Sequence, residues 1–125
     1  MKHIASVVVI FIGSITACFA TVHTLCNMPY SPGQHTTFSA AHAAAAAGDT
    51  IYVHGSHFNY GNISVNKPLV IIGTGHNPDK QSPLVSLFET ITVSSSNVQL
   101  IGLSFARLGS SFTSNVQVKK CKFSR

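Results

Sequence analysis

The stretch Asn97–Phe105, NVQLIGLSF, returns in altered form as Asn115–Phe123, NVQVKKCKF. The two copies align without a gap, and their apolar positions coincide. In the first copy Val98 and Leu100 alternate as one face of a strand should, but the next apolar position, Leu103, comes three residues later. A strand has a side-chain period of two, so the chain must bend between Leu100 and Leu103. A strand, a bend and a second strand that recur at constant spacing are typical of one coil of a β-solenoid.

The same alternation occurs upstream at less regular spacing. Apolar pairs two residues apart, each predicted to lie on the inward face of a short strand, are Ile51 and Val53, Ile63 and Val65, Leu69 and Ile71, and Ile91 and Val93. Gly73–Gly75 and Asn77–Asp79 carry turn residues between two of these strands. An antiparallel sandwich of short strands is the alternative, but hairpins do not readily give a long copy with a shared shift of phase. The sequence therefore predicts an all-β solenoid.

The segment Phe38–Gly55, FSAAHAAAAAGDTIYVHG, joins a run of alanines to a burst of strand-forming residues. The alanines predict a short helix over about residues 37–47, because alanine has the highest helix propensity. Ser39 or a preceding threonine can cap its start, and Gly48 is expected to end it. Asp49 is then expected to turn the chain by bonding the backbone with its short side chain. We expect this helix to cover the apolar end of the first coil.

A longer segment, Thr36–Gly75, resembles the opening of right-handed parallel β-helix proteins of the pectate-lyase-like superfamily. Its most specific parts are Gly48–Ile51, Lys67–Leu69 and the glycines of Gly73–Gly75, whereas the aromatic residue within Phe58–Tyr60 lies in a slightly longer loop than the family pattern has. The resemblance implies a right-handed parallel β-helix with a short N-terminal capping helix.

The N-terminal segment has the pattern of a secretory signal peptide. Lys2 and His3 precede an apolar run that continues to Ala20, so residues 1–20 are predicted to be removed and the domain to comprise residues 21–125. The run is short for a transmembrane span of about 20 residues. The residues before Cys18 also resemble a lipobox, in which Cys18 would be lipidated. We expect a secreted, extracellular protein, with a lipid anchor through Cys18 as the alternative.

Two cysteines, Cys26 and Cys121, lie near opposite ends of the predicted mature chain. A disulfide could persist in the compartment implied by secretion, but the sequence does not show whether the two residues meet. Their interpretation as two small buried apolar residues is favoured.

Acidic residues are few, which constrains any catalytic interpretation. The three carboxylates, Asp49, Asp79 and Glu89, fall in different segments. Enzymes of the superfamily that the chain resembles use several carboxylates, which act together with an Arg or Lys base in the lyases and with an Arg in the pectin esterases, and these residues usually lie in later coils. The resemblance therefore transfers no catalytic residue to this chain, and none is predicted.

The sequence likewise predicts no metal and no cofactor. His54 and His57 have no third Cys, Asp or Glu ligand near them in sequence, as a zinc site would need. Gly73–Gly75 lacks the third glycine and the following helix of a dinucleotide site.

Lys119, Lys120, Lys122 and Arg125 form the one charge cluster in a chain with a formal net charge of +5. Lys120 falls at the bend, and Lys119 and Lys122 are predicted to point outward. Lys119, Lys122 and Arg125 are thus candidates for contact with an acidic polysaccharide. Alternatively, these residues keep an exposed strand soluble. Nucleic acid is disfavoured as a partner, because aromatic platforms and an extended basic groove are lacking.

The sequence ends directly after a predicted strand, without a segment that could cap the last coil. We therefore expect the N-terminal part of a longer β-helix, truncated at its C-terminus, with self-association through the uncapped coil. The predicted function is a secreted, non-catalytic β-helix repeat module that is structural or binds carbohydrate. The alternative is the N-terminal fragment of a polysaccharide-degrading lyase, hydrolase or pectin esterase whose catalytic coils are missing, so enzymatic activity stays open.

Overall fold

The computed structural model describes residues 20–30, 33–75, 84–111 and 114–123. Most of the predicted signal peptide, including Cys18, lies outside the described residues, as do Asp79 and Arg125. Within them the chain forms one helix and nine strands, in the order β1 Val22–Leu25, α1 Phe38–Ala44, β2 Thr50–Val53, β3 Asn62–Val65, β4 Val70–Ile72, β5 Leu87–Val93, β6 Gln99–Ile101, β7 Ser104–Ser110, β8 Gln117–Lys119 and β9 Lys122–Phe123.

The strands form two sheets, and neighbouring strands in both are parallel. The first sheet has the order β1-β2-β4-β6-β8 and the second has the order β3-β5-β7-β9. From β2 onward the chain therefore passes alternately from one sheet to the other, and from β4 onward each strand pairs with the strand two before it. Strands in parallel sheets with one short helix confirm the strand-rich prediction, and the antiparallel sandwich is wrong.

The repeat seen in the sequence is a spatial repeat as well. Leu100 lies opposite Val118 in the first sheet, and Phe105 lies opposite Phe123 in the second. The equivalent asparagines Asn97 and Asn115 both have positive φ, at 60° and 56°, and the Asn115 Nδ2 donates a hydrogen bond of 2.9 Å to the Asn97 Oδ1. Asparagine tolerates this left-handed conformation better than most residues. The same backbone geometry thus recurs at an interval of 18 residues.

Another pair of equivalent positions explains the shift of phase. Gly102 and Lys120, each just after a strand of the first sheet, have φ values of 66° and 52°. A left-handed residue turns the chain sharply, so the strand alternation restarts in the second sheet with a different phase. The predicted bend, with Lys120 on it, is confirmed.

The core lies between the two sheets. Ile51, Ile71 and Leu100 form one column of the first sheet, and all three are completely buried. Val118 continues this column, and Phe123 continues the column of Phe88 and Phe105 in the second sheet. Val118 and Phe123 are nevertheless 41% and 64% exposed. In the described part of the chain β8 and β9 are the last strands of their sheets, so no further layer covers these two side chains.

The helix is shorter than predicted. Thr37 is the N-cap, and its Oγ1 accepts a hydrogen bond of 3.2 Å from the Ala40 nitrogen. The helix ends at Ala44, and Gly48 does not terminate it, contrary to our expectation. The Lys67 Nζ donates to the carbonyl oxygens of His42 and Ala45 at 2.6 and 2.8 Å, which satisfies acceptors that the end of a helix leaves free.

The helix covers one end of the core, as expected. Phe38 and Ala41 are buried, and α1 lies against β1 and β3, the first strands of the two sheets. The Phe38 ring meets the Phe88 ring edge to face at 6.2 Å. Such an aromatic pair contributes about 1 kcal/mol beyond the area it buries.

Both described cysteines are free thiols. Cys26 is completely buried, as its interpretation as a small apolar residue requires. Cys121 is half-buried, with its Sγ 3.4 Å from the Leu100 carbonyl oxygen. Within the described ranges, no helix is both long and apolar enough to cross a membrane.

Candidate functional site

A corner of the fold, where the chain passes from the first sheet to the second, has glycine at two of three equivalent positions. Gly73, Gly102 and Lys120 follow directly on the registered residues Ile72, Ile101 and Lys119. Backbone hydrogen bonds join these layers: the Gly73 nitrogen donates to the Ile101 carbonyl at 2.8 Å, and the Gly102 nitrogen donates to the Lys119 carbonyl at 3.0 Å.

Glycine is required at this corner because the layers approach too closely for a side chain. A Cβ atom at Gly73 would lie 2.5 Å from the Gly102 carbonyl oxygen. A Cβ atom at Gly102 would lie 2.9 Å from the Gly75 nitrogen, and Gly75 itself has a φ of 77°. The missing side chains leave a concave surface.

We call this concavity the corner groove, with a volume of about 810 Å³. The described residues that line it are Gly73, Thr74, Gly75, Ile101, Gly102, Lys120, Cys121, Lys122 and Phe123. The lining therefore combines glycine backbone with a basic and aromatic segment, Lys120–Phe123.

The basic residues at and beside the groove are ones that the sequence analysis identified, and Lys120 is added to the binding candidates. Lys119 and Lys122 are exposed, as predicted, and Lys122 lines the groove. Lys120, which the sequence placed at the bend without a binding role, is exposed and lines the groove too. The repeat could have indicated a role for Lys120 in the groove, since Lys120 replaces Gly102 of the preceding copy. Arg125 lies outside the described residues.

Phe123 gives the groove an apolar surface. Its ring is 64% exposed and packs edge to face on the buried Phe105, with centroids 4.9 Å apart and an interplanar angle of 77°. The groove thus offers an exposed aromatic surface beside the ammonium groups of two lysines.

The described acidic residues lie elsewhere. Asp49 bonds the backbone at its own turn, as predicted, through a hydrogen bond of 2.9 Å from the Ala46 nitrogen. It also accepts a hydrogen bond of 3.0 Å from the Thr21 nitrogen and lies 3.0 Å from the His23 Nε2. The Thr21 and Ala46 amides, followed by His23, lower the pKa of Asp49 to about 2. The long-range partners were missed because Thr21 directly precedes β1 and His23 lies on it, far from Asp49 in sequence.

The histidines that suggested a metal are not brought together with a third ligand. The His54 ring packs edge to face on Tyr52 at 5.0 Å, and His57 is exposed. Across the described ranges, no three His, Cys, Asp or Glu side chains lie close enough to hold a metal ion.

A smaller concavity of about 380 Å³ lies beside α1, and its polar groups stabilise the fold. The His42 Nε2 accepts a hydrogen bond of 3.3 Å from the Asn66 nitrogen, and burial, with Lys67 nearby, lowers the pKa of His42. The Tyr60 hydroxyl donates a hydrogen bond of 2.8 Å to the His54 carbonyl, and burial raises the pKa of Tyr60 to about 12.

No family model, curated protein or solved structure matches this chain. The superfamily suggested by Thr36–Gly75 therefore stays a prediction.

Proposed function

We propose that this chain is a secreted, right-handed parallel β-helix module that binds an acidic polysaccharide in the corner groove without cleaving it. The observation that carries the proposal is the placement of Lys120, Lys122 and the exposed Phe123 along one groove, with Lys119 beside them.

The β-helix part of the proposal is supported by the topology. The chain alternates between two parallel sheets, and equivalent residues stack in register from one layer to the next. A coil that repeats in this way is the expected arrangement for a solenoid.

The ligand class follows from the chemistry of the groove. Lysine is a flexible, compact positive charge that donates hydrogen bonds to carboxylates without demanding a fixed geometry. A uronic acid polymer presents such carboxylates at regular intervals, and the C–H faces of its rings are apolar enough to pack on Phe123. The groove volume of about 810 Å³ falls within the range of roughly 300–1,000 Å³ typical of ligand sites.

Binding without cleavage follows from the lining. None of the described residues that line the groove is acidic. Asp49 is held by partners at its own turn, and the Glu89 Oε2 accepts a hydrogen bond of 3.4 Å from the Asn59 Nδ2. The described groove thus supplies charge for recognition and no carboxylate for acid–base chemistry.

Calorimetric titration with oligogalacturonate, and with a neutral glucan of equal length, tests the proposal. The acidic oligomer should bind, with an affinity that falls as salt is added, and the neutral one should not. Lys122→Gln should weaken binding about two- to fivefold, the effect of losing one exposed charge. Arg107→Gln is the matched control, because Arg107 is exposed on β7 and is not among the groove residues.

Absence of binding by the unmodified protein would contradict the proposal, and so would an equal loss in the Lys122 and Arg107 variants. Shortened or unsaturated products in the titrated sample would show cleavage and would contradict its non-catalytic part.

A further inference from the structure

The backbone nitrogen of Thr21 lies against a carboxylate, at the bond where the sequence pattern places the end of the signal peptide. We infer that the chain is processed between Ala20 and Thr21, and that Asp49 is the acceptor for the α-ammonium group so created. This inference rests on the secretion part of the proposed function and is independent of the corner groove.

The geometry around Asp49 leaves one carboxylate oxygen for this role. Oδ2 accepts from the Ala46 nitrogen at 2.9 Å and lies 3.0 Å from the His23 Nε2. Oδ1 accepts from the Thr21 nitrogen at 3.0 Å. The Asp49 residue is only 6% exposed, so the charge of its carboxylate is largely withdrawn from water.

Thr21 is also fixed on its other side. Its carbonyl oxygen accepts a hydrogen bond of 2.9 Å from the Thr50 nitrogen, and β1 begins at the next residue, Val22. Ala20 is exposed. The bond between Ala20 and Thr21 thus separates an exposed residue from one held by both of its backbone polar groups.

Hydrolysis changes the chemical group that faces the Asp49 carboxylate, from a backbone amide to an amine. A peptidase specific for small residues would break the bond between the Ala20 carbonyl carbon and the Thr21 nitrogen. Water supplies hydroxide to the new carboxyl group and a proton to the nitrogen. With an ordinary pKa of about 8, the freed amine binds a further proton at neutral pH. One neutral N–H donor then becomes an ammonium group with three donors and a full charge, and such hydrogen bonds are about twice as strong.

The balance of charge in the folded protein distinguishes this route from lipidation. A buried carboxylate is costly unless it is paired, and His23 supplies a positive charge only when it is protonated. His35, whose ring lies 5.8 Å from that of His23, is the next titratable group. Lipidation at Cys18 would leave the Thr21 nitrogen as a neutral amide, whereas cleavage before Thr21 places an ammonium group that is protonated at neutral pH beside the Asp49 carboxylate.

The first test is the N-terminus of the full chain after secretion from a bacterial host. Intact mass and N-terminal sequencing should show a chain that begins with Thr21. A mature chain that begins at a lipidated Cys18, or at any other residue, would overturn the inference. Binding to the acidic polysaccharide is measured separately, so failure of the groove proposal and failure of this inference give different results.

The second test is the reactivity of the α-amine toward an acylating reagent at neutral pH. In the folded mature protein the reaction should be about tenfold slower than in the same protein unfolded in denaturant, which corresponds to a pKa raised by one unit. Asp49→Asn should remove most of this protection, and the matched control Glu89→Gln should retain it. Equal rates in the folded and unfolded wild-type protein would overturn the inference, even if the Asp49 variant does not fold.

Discussion

At the scale of single residues, Asp49 makes stability depend on pH. Its pKa is lowered to about 2 in the folded protein by hydrogen bonds from Thr21 and Ala46 and by His23, against about 3.9 in an unfolded chain. A lowered carboxylate pKa stabilises the fold at pH above the unfolded value, and this contribution is lost as the pH falls through about 4 towards 2.

Denaturant unfolding between pH 2 and pH 7 measures this effect. Asp49→Asn should flatten the acid limb of the stability curve, while Glu89→Gln, which removes an exposed carboxylate, should leave it unchanged. An acid limb that is identical in the wild type and the Asp49 variant would show that other groups cause it.

Gly102 is a second residue whose replacement has a defined cost. Its φ is 66°, and a Cβ atom there would meet Gly75 backbone atoms at 2.9 and 3.0 Å. Gly102→Ala should reduce the free energy of unfolding by about 2 kcal/mol or more, since the left-handed conformation alone costs an ordinary residue roughly 1–2 kcal/mol. Gly109→Ala is the matched control, because the nearest atom to its Cβ outside the adjacent residues would be the Thr92 Oγ1 at 3.9 Å. Its stability should change by less than about 1 kcal/mol.

At the scale of an element, β4 shows how strongly the two faces of a strand differ. Ile71 points into the core and is completely buried, whereas its neighbour Ile72 is half-buried on the outer face. Ile71→Ala should destabilise the protein by about 2–5 kcal/mol through lost apolar burial and a cavity. Ile72→Ala should cost distinctly less. Equal losses in thermal or denaturant unfolding would contradict the alternation of faces on this strand.

The strands were predictable because their apolar residues alternate. The alternation gave the inward positions of β2, β3 and β4, and the repeat gave the register of β6 with β8 and the bend at Lys120. The end of α1 was not predictable, because Ala45–Ala47 have high helix propensity and a tertiary contact, from Lys67, satisfies the carbonyls of its last turn. Local propensity contains no information about such a contact.

The candidate site was only partly predictable for a similar reason. Lysines near the end of the chain are visible in the sequence, but the groove beside them depends on Gly73 and Gly102 lying against each other across two layers. The bonds from Thr21 and His23 to Asp49 likewise join segments that are distant in sequence and adjacent only after the sheets form.

At the scale of the whole molecule, we expect stability to be graded along the stack of layers. Val118 and Phe123 on β8 and β9 are exposed, while the core residues of β4 to β7 are buried and α1 covers the opposite end. Amide hydrogen exchange should therefore be fastest in β8 and β9 and slowest in the middle strands, because layers with few buried contacts open most readily. Equal protection of β9 and β4 would contradict this gradient.

The helix over β1 and β3, together with the order of the strands, also bears on the order in which the strands can form. From β4 onward, each strand pairs with the strand two before it in sequence, so a chain that is made or exported from its N-terminus always meets a partner already in place. The residues of α1, β1 and β3 all precede β4 in the chain, so the layer that the helix covers can form before the later strands emerge and can serve as a template for them. Assembly from β4 onward can thus follow the direction of synthesis, and only β1 and β3, the first strands of the two sheets, emerge before a partner strand does.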